Sequence, residues 1–235
     1  MGSSVSAEVL KLRTSRVTAL LALAAAAAAV LLIASPTLLV GARRDAHTAL
    51  QGVAALAATL SLILGVHAAA GDLEHGLTRA SLLIAPRRER LLAAKLTVLA
   101  MTGAGLGAAS VLIAELLHAL TTQSDASHAM QLVIGGSLLS AGYAVLGGTI
   151  GTLTGNQPLA IAGALLWIYV AEPFIAQVSY NTYSYLPGGL REALLHHTSS
   201  HHHIPTAVTG ATTLAIYLAV AIGIAIVRFK RQDIS

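Results

Sequence analysis

Three groups of residues in this sequence have the types and spacing that chemistry requires. His196, His197, His201, His202 and His203 form one cluster, and imidazole nitrogens bind zinc, copper and nickel. Glu192 is the nearest carboxylate, and Thr198-Ser199-Ser200 between the histidines reads as a flexible polar spacer. The five histidines are therefore weak metal ligands, and solvation of a polar loop or adventitious binding accounts for them better. The second group is Glu172, inside an apolar run and followed by Pro173, with Trp167 and Tyr169 just ahead of it. Ionisable residues at membrane depth are costly and often functional. Glu172 either faces a substrate path, with Trp167 and Tyr169 as contacts, or a water-filled vestibule near the outer leaflet, or sits at the outer interface, neutral or hydrogen-bonded, with Pro173 kinking the helix and the aromatics packing. The third group is the charged segment Gly71–Lys95, which holds Asp72, Glu74, His75, Arg79, Arg87, Arg88 and Arg90. Glu115 and His118, one helical turn apart, read as an interfacial pair.

Other chemistries are excluded outright. The chain contains no cysteine, which removes disulfides, thiolate metal sites and thiol nucleophiles. It has neither a G-x-x-x-x-G-K-[ST] phosphate loop nor an H-E-x-x-H zinc motif. Gly103-Ala104-Gly105-Leu106-Gly107 superficially suggests a nucleotide loop, but it lies within an apolar run, where small residues let helices approach closely. Gly147, Gly151 and Gly155, four residues apart, make a second smooth face of this kind.

The elements that must position these groups follow from composition. Of 235 residues, 55% are hydrophobic and 10% charged, against about 25% charged in a typical soluble domain. Mean hydropathy is +0.74. Disorder requires the opposite balance. At roughly 20 residues per membrane helix, the chain holds six spans: about 17–40, 47–70, 93–118, 130–153, 158–178 and 206–227. The first imitates a secretory signal, but it exceeds the 7–15-residue apolar core of one and reads as an uncleaved span. Before it, Val5, Val9 and Leu12 share one helical face, so residues 1–16 read as an amphipathic interfacial helix.

The net charge is +4, yet its cations flank apolar runs, so nucleic acid is not the partner. With the N-terminus in the cytosol, Lys11, Arg13, Arg16, Arg79, Arg87, Arg88, Arg90, Lys95, Arg228, Lys230 and Arg231 lie inside. Only Arg43, Arg44 and Arg191 lie outside, and this eleven-to-three bias sets the orientation by the positive-inside rule. Both termini are then cytosolic, and the Gly71–Lys95 segment faces the cytosol. Leu73, Leu77, Ala80 and Ile84 form an i, i+4, i+7, i+11 stripe that Pro86 terminates. It is a short amphipathic helix, either an interfacial connector or a docking knob for a cytosolic partner.

This segment resembles the signature loop of type-2 ATP-binding-cassette (ABC) transporter permeases. Glu74-His75-Gly76, Arg88 and Leu91-Leu92-Ala93-Ala94-Lys95-Leu96 carry the likeness, with Gly76, Arg88 and Lys95 at the family's relative spacing. Leu77 replaces the family's Thr, with Thr78 one place later, and Pro86 stands one residue closer to Arg88 than in the family pattern. Tyr185-Leu186-Pro187-Gly188 before the last span and the basic C-terminus are also similar. The resemblance implies an all-α polytopic membrane protein with six transmembrane helices. It adds a cytosolic coupling helix between spans 2 and 3 and short outer helices between spans 5 and 6, one of them over Leu190–Leu195.

As to function, the resemblance implies the permease subunit of an ABC exporter in the cell membrane, moving an amphipathic drug, peptide or lipid outward. The chain would bind no cofactor itself; ATP and magnesium would belong to a separate cytosolic ATPase, present in two copies beside a second permease chain, identical or homologous. Asp72, Leu73, Glu74, Gly76, Leu77, Arg79, Ala80, Ile84 and Arg88 would couple the two proteins. The alternatives are an ATP-independent secondary transporter or channel, against which the spans show no ion-site cluster or broken-helix repeat, and a membrane enzyme, for which no paired catalytic residues stand at membrane depth.

Overall fold

The computed structural model describes residues 10, 16–38, 46–74, 88–120, 126–195 and 206–231. They are helical, with no strand among them. The long helices are α1 (Arg16–Leu38), α2 (Ala46–Glu74), α3 (Arg88–Ala119) and α4 (Ala126–Thr154). A broken span follows: α5 (Gln157–Leu166), a π-helical turn over Trp167–Ala171, and α6 (Glu172–Val178). Two short helices, α7 (Tyr180–Tyr183) and α8 (Pro187–Leu194), precede the last long helix, α9 (Ala207–Arg231).

Five stretches are long and apolar enough to cross a membrane: Thr48–Asp72, Leu91–Ala119, Ala129–Thr154, Gln157–Val178 and Ala207–Arg228. A sixth, Val17–Leu32, is apolar but shorter, and it occupies the place of the expected first span. The chain is a multi-span membrane protein. The amphipathic helix expected over 1–16 lies outside the described residues, apart from Leu10 and Arg16.

The helix α2 is the centre of the bundle. Of its apolar window 67% is buried, against 17% for α9 and 22% for the broken span. It packs most extensively on α4, and α4 in turn packs on α3. Without a hydrophobic drive between helices in lipid, this association depends on close van der Waals contact, and glycine permits it. A Cβ on Gly147 would meet the backbone of Leu62, and one on Gly65 the backbone of Ala144 and Gly148. Gly103 and Gly107 bring α3 equally close to Ser140 of α4, whereas Gly105 has no neighbour within 4 Å. Gly155, expected to extend the smooth face, does something else. Its φ is +64°, the left-handed conformation that ends helices, and its amide bonds the Gly151 carbonyl at 3.0 Å. Asn156 then caps α5 by accepting the Leu159 amide at 3.0 Å, with Pro158 in the first turn.

Polar side chains within the spans mostly satisfy themselves locally. Ser61 and Ser110 donate to carbonyls four residues back, at 2.8 and 2.7 Å. Their presence in apolar helices therefore marks no site.

Candidate functional site

The break in the fifth span begins with Pro173. Proline lacks an amide hydrogen and its ring clashes with the carbonyl four residues earlier, here that of Tyr169. The helix responds by widening. The Glu172 amide bonds the Trp167 carbonyl, five residues back, which is the π-helical pattern found often at functional positions. The widened turn turns Glu172 inward. Its side chain is 1% exposed, and Oε2 accepts the Gly188 amide hydrogen at 2.6 Å. Oε1 has no hydrogen-bond partner among the described residues. Trp167 stands beside the carboxyl group, and the charge of Arg191 is close enough to act on it.

Gly188 lies in the first turn of α8, directly after Pro187. The first amides of a helix have no partner within it, and a carboxyl oxygen here satisfies one and complements the helix dipole. The opposite end of α8 is held as well, because Gln51 of α2 donates through Nε2 to the Leu195 carbonyl at 3.2 Å. Between these two clamps Leu190, Leu194 and Leu195 enter the main core with Leu50, Val53, Leu132 and Leu139. The short helix is thus part of the bundle. It begins at Pro187, earlier than the expected Leu190, because Pro fits the first helical position.

Tyr183 packs against Gly188, and its hydroxyl donates to Glu192 Oε1 at 3.1 Å. Burial, and secondarily the Glu192 charge, push the Tyr183 phenol well above its usual value. Tyr169 turns toward α2. Thr59 already donates to the Ala55 carbonyl, so the Tyr169 hydroxyl, 3.0 Å from Thr59 Oγ1, donates to it.

Two cavities adjoin α8. One, of about 330 Å³, lies between α2 and α8 and is lined by Thr48, Gln51, Arg191 and Glu192 among others. The other, of about 500 Å³, lies between α2, α4 and α5. Leu62, Tyr143, Leu146, Ile150, Leu159, Trp167 and Pro187 are among the residues that line it. Of the three residues expected on a substrate path, Trp167 is in the wall of the larger cavity, Glu172 stands beside Trp167, and Tyr169 is not among the lining residues. Tyr143 and Gln51 line the two cavities and were missed by sequence reasoning. A polar amide near the start of an apolar helix was the available signal for Gln51; Tyr143 gave none.

At the other membrane face, Lys95 of α3 forms an ion pair with Asp72 of α2. Their side chains are only 13% and 11% exposed. Asp72, Leu73 and Glu74 belong to α2 itself, and Arg88 opens α3. Gly76, Leu77, Arg79, Ala80 and Ile84 lie outside the described residues, as do His196, His197, His201, His202 and His203. Among the described residues no three His, Asp or Glu side chains gather as a metal site. No family model and no curated protein matches the chain.

Proposed function

We propose that this chain is the permease subunit of an ABC exporter in the cell membrane, with six spans and both termini in the cytosol. It works with a second permease chain and two copies of a cytosolic ATPase that holds ATP and magnesium. The substrate is an amphipathic molecule moved outward. The observation that carries the reading is the Asp72–Lys95 ion pair. It ties the inner ends of α2 and α3 together around the segment 75–87, which bears the apolar stripe and, with its flanks, the motif residues Gly76, Arg88 and Lys95. A push on that segment would pass into α2, the most buried span, and from α2 into α4. The packing of α8 on α9 and α4 also supports the reading.

Mechanistically, closure of the two ATPases moves the 75–87 segments, and the spans follow as rigid bodies to open a path between the permeases. In this reading Glu172 and Trp167 lie on the substrate path. The test is Leu77→Asp, which places an unpaired charge in the docking contact at a cost on the order of 3 kcal/mol when desolvated. The variant should reach the membrane in normal amounts while losing the co-purifying ATPase and substrate-stimulated hydrolysis. Full transport with the ATPase retained would reduce the segment to a connector. Transport by the purified chain in vesicles without any ATPase would favour an ATP-independent transporter.

A further inference from the structure

The cavity between α2, α4 and α5 is lined chiefly by apolar side chains: Leu62, Leu146, Ile150, Leu159 and Ile168 among them. A cavity lined in this way does not hold water. Thr154, at one end, has its hydroxyl turned back to the Ile150 carbonyl at 3.0 Å. Its α5 wall includes Leu159, 64% exposed, and Trp167, 47% exposed, so that wall meets the hydrocarbon surrounding the spans.

Its dimensions select the occupant. Along α5 eight residues separate Leu159 from Trp167, and along α4 eleven separate Tyr143 from Thr154. At about 1.5 Å per residue the cavity runs about 12–16 Å along the spans, and one leaflet's hydrocarbon is about 15 Å deep. At the end nearer the α4–α5 turn the lining residues are Thr154 and Leu159. The roof, at mid-span, is Trp167 and Pro187, the latter held down by the Glu172–Gly188 hydrogen bond beside it.

We propose that this cavity seats one acyl chain of a phospholipid from the leaflet on the side of the α4–α5 turn, with the chain end beneath Trp167 and Pro187. The proposal depends on the chain spanning a membrane and is independent of the exporter reading.

Trp167 is the only tryptophan, so its fluorescence reports on the roof. The full-length protein is reconstituted in phosphatidylcholine vesicles holding a small fraction of phospholipid brominated either near the chain end or near the headgroup. Chain-end bromine should quench Trp167 beyond its share of the lipid, and headgroup-proximal bromine should not. Gly163 lines the cavity, and a Cβ there meets no atom within 4 Å, so Gly163→Leu has room to enter the space and should abolish the excess. Quenching of the wild type in simple proportion to either probe would mean contact with bulk lipid only and would overturn the site, as would an excess that Gly163→Leu leaves intact. Native mass spectrometry of the delipidated wild type needs no variant: one phospholipid retained per chain supports the site, and none retained overturns it.

Discussion

Glu172 Oε2 accepts the amide hydrogen of Gly188, 16 residues further along the chain and in a different helix, at 2.6 Å. Glu172→Ala leaves that amide buried without an acceptor, a loss of about 1–3 kcal/mol. Glu172→Gln retains an acceptor oxygen and should stay close to the wild type. Thermal unfolding in detergent, followed through the single tryptophan, distinguishes the two. Equal losses in both variants would show that the acid group itself, and not an acceptor at that place, holds α8.

The Asp72–Lys95 pair predicts an asymmetric pattern. Lys95→Met removes the cationic partner of an acidic group that is 11% exposed, and breaking such a pair costs on the order of 3 kcal/mol. Replacing both partners with leucine should recover most of that loss, since an apolar pair of similar volume fits a buried place. A double replacement as unstable as the single one would contradict this account. In the exporter reading, either change should also weaken coupling of ATP hydrolysis to transport.

Orientation can be read directly, because the chain has no cysteine of its own. Single cysteines at Ser127 and Ser199 should react with an impermeant thiol reagent applied to sealed cells. Those at Ser81 and Ser235 should react only after lysis. Labelling of Ser81 from outside would invert the proposed topology.

Alkaline titration tests the α7–α8 contact. The Tyr183 phenol is raised above its ordinary value of 10.0, first by burial and then by the Glu192 charge. A group with a raised folded value contributes stability that is complete below its unfolded pKa and fades as pH climbs through the folded one. The contact should therefore be intact below about pH 10 and weaken above it. In ultraviolet difference spectra, Tyr183→Phe should remove part of the late-ionising fraction of tyrosinate. Loss of an early fraction would show that Tyr183 is open to solvent.

How much of this could be read in the chain alone depends on the range of each interaction. Apolar runs are local, so the spans emerge from composition, with ends that shift because α2 continues through Asp72 to Glu74 and α3 begins at Arg88. Glu172 is conspicuous for the same reason: an acid within an apolar run is visible without a partner. Its partner is not visible, because Gly188 is matched to it only by the path of α7 and α8. Gln51 meets Leu195 across 144 residues, and nothing near Gln51 hints at a carbonyl there. Gly147, Gly151 and Gly155 look equivalent as a repeat, yet the first two face α2 and the third ends the helix, a division set by where the partner helix stops. The pairing of Asp72 with Lys95 required α2 and α3 to be antiparallel neighbours, which their separate positions on the charged segment concealed.

The wide turn at Trp167–Ala171 acts as a phase shifter within the span. In a regular helix each residue advances about 100° around the axis, so one residue more or fewer re-aims everything downstream. Deleting a single residue from this turn would leave the span's length and hydropathy nearly unchanged while swinging Glu172 away from α8 and into the surrounding lipid. A comparison of spans by hydropathy would score the two chains as equal, although only one of them could fasten α8.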